Sequence, residues 1–65
     1  MGWKDVGFPE LRKFFKTWRS KKDLEVEYSL SPTESRHAFK HLKAIGWQFR
    51  EKMGSRKRFH EIKIP

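Results

Sequence analysis

One stretch of this chain decides its fold: residues 31–46, with the sequence SPTESRHAFKHLKAIG. Ser31 can cap a helix, Pro32 suits the first helical position, and Glu34 stands where a capping box places a glutamate. The apolar residues of the stretch recur on one helical face: Ala38, Phe39, Leu42 and Ile45. Gly46 can adopt the left-handed conformation that ends many helices. We therefore predict a helix that begins after Ser31 and stops at Gly46.

The residues before this helix contain two further patterns. Apolar residues recur at the spacing i, i+3, i+4 and i+7: Leu11, Phe14, Phe15 and Trp18. With Pro9 in the first turn, this spacing predicts an amphipathic helix from about Pro9 to Arg19. From Leu24 to Leu30, apolar and polar residues alternate strictly, which predicts a half-buried strand.

The residues after Gly46 form a third pattern, that of a hairpin. Trp47 and Phe49 alternate with polar residues, and Ile62 and Ile64 do the same near the end of the chain. Turn-forming residues centred on Gly54 separate the two runs. We predict a β-hairpin with a basic tip.

Together these elements predict an α+β fold. The expected order is helix, strand, helix, strand, strand, with a small three-stranded, largely antiparallel sheet and two helices on one face. A chain of 65 residues has room for a single domain, residues 1–65, in which residues 1–7 are expected to form a flexible or loosely packed arm. Such a short chain needs its large aromatic residues in the core: Phe14, Phe15, Trp18, Phe39 and Trp47.

Charge composition points to an acidic partner. The chain has 16 Lys and Arg against 8 Asp and Glu, a formal net charge of +8, which favours a polyanion such as nucleic acid. The absence of cysteine excludes disulfides and thiolate zinc sites and fits an intracellular location, nuclear or cytoplasmic. No apolar run approaches the length of a membrane span, so no membrane partner is expected.

Enzymatic chemistry is not expected. The sequence has no nucleophile paired with a base and no glycine-rich phosphate loop. His37 and His41 have the one-turn spacing of a zinc pair, but no convincing third ligand accompanies them. We therefore predict a non-catalytic protein without a metal or other cofactor.

The candidate binding residues lie on the second predicted helix and on the hairpin. Basic side chains would contact phosphates, the histidines would hydrogen-bond a phosphate or base, and Gly54 and Ser55 would allow close approach of the backbone. Phe59, with Trp3 as a second candidate, would stack on unpaired bases. The predicted nucleic-acid-binding residues are Arg36, His37, Lys40, His41, Lys43, Arg50, Lys52, Gly54, Ser55, Arg56, Lys57, Arg58 and Phe59.

A family resemblance supports this prediction. Its elements are a helix at residues 11–18, the helix start at residues 31–34, Gly46-Trp47 at the helix end, Gly54 in the loop and a last strand that begins at residues 58–62. In this order they resemble the R-three-H domain, a small nucleic-acid-binding module named for an Arg-x-x-x-His motif. The resemblance is one of architecture, because Ser35 stands where the arginine belongs and Phe39 where the histidine belongs. It implies single-stranded DNA or RNA as ligand, with Gly54 and Arg58 as the transferable residues, in a module of a larger protein.

Three functions are compatible with the sequence. The first, which we favour at this point, is a monomeric binder of single-stranded RNA or DNA. The second is a winged-helix-like binder of duplex DNA, in which residues 40–47 and the basic hairpin look like a recognition helix and its wing. Against it, only one helix is predicted before the presumed recognition helix. The third is a protein-interaction module whose partner is an acidic protein segment.

Overall fold

The structure is a computed structural model that describes residues 2–65. It is a small α+β domain with three α-helices and a three-stranded antiparallel sheet of order β1-β3-β2. The elements are a 3₁₀ helix Trp3–Val6, α1 Phe8–Phe14, β1 Arg19–Ser20, α2 Lys21–Tyr28, α3 Pro32–Ala44, β2 Gln48–Met53 and β3 Arg58–Lys63. The predicted class and the three-stranded antiparallel sheet are confirmed.

The predicted strand from Leu24 to Leu30 is wrong, because these residues contribute most of helix α2. Ser20 and Asp23 form a capping box at its start: Ser20 Oγ accepts from the Asp23 N–H at 3.2 Å, and the Asp23 carboxylate accepts from the Ser20 N–H at 3.0 Å. Leu24 is buried, whereas Val26 is 71% exposed, although a strand would place both on one face. The observed order is therefore helix, strand, helix, helix, strand, strand, with three α-helices in place of the predicted two.

The first predicted helix is shorter than its apolar pattern indicates. Helix α1 ends at Phe14, and the Phe15 carbonyl accepts a hydrogen bond from the Ile64 N–H at 2.9 Å. This bond turns the chain toward the sheet, where Arg19 pairs with Ile62. Pairing with β3 thus ends the helix before the apolar pattern of residues 11–18 does. The third strand of the sheet is β1, and not the predicted strand from Leu24 to Leu30.

Helix α3 begins and ends where the sequence predicts. Ser31 Oγ accepts from the Glu34 N–H at 3.2 Å. At the other end, the Trp47 N–H donates to the Leu42 carbonyl and the Gly46 N–H to the Lys43 carbonyl. This pair of bonds is a Schellman ending, and Gly46 has the positive φ of 97° that it requires.

The first residues of the chain pack against α3. The 3₁₀ helix Trp3–Val6 lies within the segment expected to form a loose arm. The Trp3 N–H donates to the Glu34 carboxylate at 3.0 Å, so Glu34 bonds to this segment and does not complete a capping box. Trp3 and Val6 pack, half-buried, against the core.

The core lies between the helices and one face of the sheet. Its buried apolar residues are Leu11, Phe15, Leu24, Leu30, Ala38, Phe39, Leu42, Trp47 and Ile62. Phe15 lies near the centre, with its ring centroid 5.9 Å from that of Phe39 and 5.8 Å from that of Trp47. Phe14 is half-buried at the margin, where its ring contacts Tyr28. Burial, with smaller contributions from Glu10 and Glu27, raises the pKa of the Tyr28 phenol.

A tight turn joins α2 to α3. Residues 29–31 separate α2 from α3, and this pair of helices with its short turn is here called the helix-turn-helix. Ser29 ends α2 in the left-handed conformation, with φ 53° and ψ 43°. Leu30 then enters the core, where it is 5% exposed. Ser35 is fully buried where the two helices meet, and its Oγ lies 2.9 Å from Glu25 Oε2.

Replacing Ser29 by glycine should stabilise the domain. The left-handed conformation strains a residue that has a Cβ atom but not glycine. We expect Ser29→Gly to raise the free energy of unfolding by about 0.5 to 1 kcal/mol, measured by urea denaturation. Ser29→Ala, the matched control, should give no gain. A loss of stability in Ser29→Gly would contradict the described turn.

Candidate nucleic-acid interface

A basic groove of about 230 Å³ separates α3 from the hairpin. It is lined by Lys21, Arg36, Phe39, Lys40, Lys43, Phe49 and His60. Four of these side chains are cationic and none is a carboxylate. The predicted cations of the second helix, Arg36, Lys40 and Lys43, therefore converge on one side of the molecule. An anion in this groove would meet positive charge from two helices.

Two aromatic rings form the hairpin wall of this basic groove. Lys43 Nζ lies 4.2 Å from the centroid of the Phe49 ring, a cation–π contact. The His60 ring packs on Phe49 at a centroid distance of 5.0 Å. These contacts hold Lys43 over the hairpin and place His60 beside it.

Sequence reasoning missed Lys21 and His60. Lys21 lies between the first predicted helix and the predicted strand, although Ser20 and Asp23 are spaced as the capping residues of a further helix. The position of His60 in the basic groove follows from the strand register, which pairs it with Glu51 and cannot be read from the sequence.

The outward face of α3 carries the other predicted helix residues. Helical periodicity places Thr33, His37 and Lys40 opposite the buried side of the helix, and all three are exposed. Thr33 was not among the predicted residues. His41 lies on another flank, with its ring 5.1 Å from that of Trp3. It is therefore separated from the basic groove.

The hairpin tip is a four-residue loop, residues 54–57. The Gly54 N–H donates to the Lys57 carbonyl at 2.8 Å. A Cβ atom at Gly54 would lie 2.9 Å from that carbonyl and 3.3 Å from the Phe59 ring. Gly54 is thus needed for the turn itself, and Phe59 is half-buried against it. Ser55, Arg56 and Lys57 are exposed at the tip.

Arg50 lies on the outer face of the hairpin, because successive strand residues alternate and Phe49 faces the helices. Its Nη2 atom lies 2.8 Å from Glu61 Oε1, and its guanidinium lies 4.2 Å from the centroid of Trp18. Trp18, expected in the core, is half-buried on this outer face. Lys52 shares the outer face and is exposed, while Arg58 pairs with Glu51 at 3.3 Å.

The positions that correspond to the R-three-H motif face the interior. Ser35 is 0% exposed and Phe39 is 4% exposed. Neither side chain lies on an outward surface that a strand of nucleic acid could reach.

The protein is a small α+β domain in which two helices joined by a short turn are followed by a basic hairpin. No family model matches the chain, and neither a curated protein nor a solved structure matches it. None of the helices in residues 2–65 has the length and apolar character to cross a membrane. In the same residues, no three His, Asp or Glu side chains are grouped so as to hold a metal ion.

Arg50→Ala should lower the free energy of unfolding of the domain. The change removes the ion pair with Glu61 and the contact with Trp18, and the half-exposed position limits the expected loss to about 1 kcal/mol. Lys52→Ala, on the same face and without an ion pair to any of residues 2–65, should change stability by less than about 0.5 kcal/mol. Urea denaturation measures both. Equal effects of the two changes would contradict a structural role for Arg50.

Proposed function

We propose that this domain is a non-catalytic module that binds duplex DNA, with α3 in the major groove and the hairpin tip beside the phosphate backbone. The observation that carries the proposal is the basic groove, which has four cations and no carboxylate, next to the outward face of the second helix of a helix-turn-helix. In DNA-binding helix-turn-helix proteins, that second helix reads base edges in the major groove.

Helix α3 has suitable dimensions and side chains for this role. Its 13 residues extend for about 20 Å, and the major groove of B-DNA admits an α-helix. Thr33, Arg36, His37 and Lys40 form an exposed polar surface along its first three turns. The sequence alone predicts only one helix before the presumed recognition helix, which counts against this function. Helix α2, joined to α3 by a three-residue turn, supplies the additional helix that a helix-turn-helix needs.

Single strands fit the described surface less well. Binding to unpaired bases draws on exposed aromatic rings for stacking, but Phe59 is half-buried against Gly54 and Trp3 leans on His41. Among the Phe, Tyr and Trp residues of 2–65, Phe8 of α1 is the one that is exposed, and its ring packs beside that of Trp47. Double-stranded RNA is also disfavoured, because its major groove is too narrow for a helix.

The charge distribution predicts the salt dependence of binding. The basic groove and the hairpin tip together supply six cations for phosphate contacts: Lys21, Arg36, Lys40, Lys43, Arg56 and Lys57. Each phosphate contact contributes about −0.9 to the slope of log K against log salt concentration. With four to six contacts, we expect a slope of roughly −4 to −5.

Removing cations from α3 should weaken duplex binding. We expect Arg36→Ala with Lys40→Ala to lower affinity for a 20-base-pair duplex by more than about tenfold and to reduce the salt slope by about 2. The matched control, Lys13→Ala with Lys16→Ala, removes the same charge from exposed positions at and just after α1 and should change affinity by less than about threefold. Fluorescence anisotropy across a salt series measures both quantities.

The same assay compares ligand classes. The duplex should bind more tightly than either of its single strands and than an RNA strand of the same sequence. Tighter binding of a single strand would replace this proposal with the single-strand alternative. Equal losses in the two double variants would contradict an interface on α3.

A further inference from the structure

The central strand of the sheet, β3, is paired along its whole length with β2 but only in part on its other side. Strand β2 pairs with β3 over six residue pairs, but β1 pairs with β3 over two, Arg19 with Ile62 and Ser20 with Glu61. After Ser20 the chain turns into helix α2. In the described part of the chain, residues 58–60 of β3 therefore have no neighbouring strand on the β1 side.

The backbone groups of Arg58 and His60 point to this open side. In an antiparallel sheet, the N–H and C=O groups of alternate residues point to opposite neighbours. The Ile64 N–H donates to Phe15 on the β1 side, and Ile62 pairs with Arg19 there. Because alternate residues point the same way, His60 and Arg58 also direct their backbone groups to the β1 side. The last paired residues, Ser20 and Glu61, form a non-hydrogen-bonded pair, so the ladder bond next to them runs from the Lys21 N–H to the His60 carbonyl. Within residues 2–65, the pairing ends there, which leaves the His60 N–H and both backbone groups of Arg58 without a partner on that side.

The open edge faces a groove of about 760 Å³, here called the edge groove. Its other wall is the first turn of α2, and its lining residues are Ser20, Lys21, Lys22, Asp23, Glu25, Lys57, Arg58, Phe59 and His60. Both carboxylates are already bonded, Asp23 to the Ser20 N–H and Glu25 to the Ser35 hydroxyl. The lysines of the edge groove form no ion pair within the described chain.

We propose that the edge groove binds an extended acidic peptide, which adds as a short strand beside residues 58–60 of β3. The peptide backbone would bond to Arg58 and His60, and its acidic side chains would reach Lys21, Lys22 and Lys57. The free carbonyl group of Arg58 favours a peptide over a phosphate backbone, because it pairs with an N–H donor and repels phosphates. This proposal rests on the sheet edge and is independent of DNA binding by α3.

Two residues connect the edge groove with the basic groove. Lys21 and His60 line both. A bound acidic peptide would neutralise Lys21 and occupy the space beside His60, so we expect it to compete with DNA. An acidic segment of a partner protein would then act as an inhibitor of DNA binding.

The test uses the full chain, labelled with ¹⁵N, and the synthetic peptide acetyl-Asp-Val-Glu-Val-Asp-amide. Before peptide is added, the amide protons of Arg58 and His60 should exchange with solvent faster than those of Phe59 and Glu61, which face β2. Peptide should slow exchange at Arg58 and His60. The control is the same peptide with its two valine amides N-methylated, which keeps the charge and removes strand pairing. It should bind at least about tenfold more weakly.

Two protein variants separate this site from the DNA site. Lys22 lines only the edge groove, and Lys43 lines only the basic groove. Lys22→Ala should weaken peptide binding more than Lys43→Ala does, and the order should reverse for duplex DNA. Equal binding of the methylated peptide, no change in exchange at Arg58 and His60, or peptide binding that depends on Lys43 would each overturn the proposal.

Discussion

The close approach of α2 to α3 is the contact on which the rest of the structure depends. It is possible because Ser35, fully buried between the helices, is small and carries a hydroxyl group 2.9 Å from the Glu25 carboxylate. A larger side chain at this position would push α2 outward. Leu24 would then leave the core, and Lys21 would leave the basic groove. The same contact therefore holds together the helix-turn-helix and both of the grooves beside the hairpin.

The sequence predicts the second half of the fold well and the first half poorly. Helix α3 and the hairpin are specified by local signals that agree with one another, from the cap at Ser31 to the Schellman ending at Gly46. The segment from Leu24 to Leu30 contains apolar residues at spacings that suit a strand and a helix alike. Its helical state follows from the cap at Ser20 and from packing on α3. The two-residue strand β1 has no local pattern and exists because β3 pairs with it.

The candidate interface was predictable in composition but not in arrangement. The sequence identifies the basic residues of α3 and of the tip, because clustered cations are visible without a structure. It does not reveal that Arg50 is held by Glu61 and Trp18 on the outer face, nor that Lys21 reaches the basic groove from α2. Those assignments depend on the strand register and on the extra helix. The cations thus separate into an inner set that lines the basic groove and an outer arginine that forms an ion pair with Glu61.

The most direct test of the account is a map of the DNA-binding surface by ¹⁵N–¹H NMR, with an unlabelled duplex titrated into the labelled chain. The account predicts that the largest shifts fall on the outward residues of α3, on Lys43 and on residues 54–57, while Lys52 and Lys63 on the outer face change little. Shifts concentrated on Trp18, Phe59 and Lys52, or a map with no change in α3, would contradict the claim that the helix-turn-helix forms the interface.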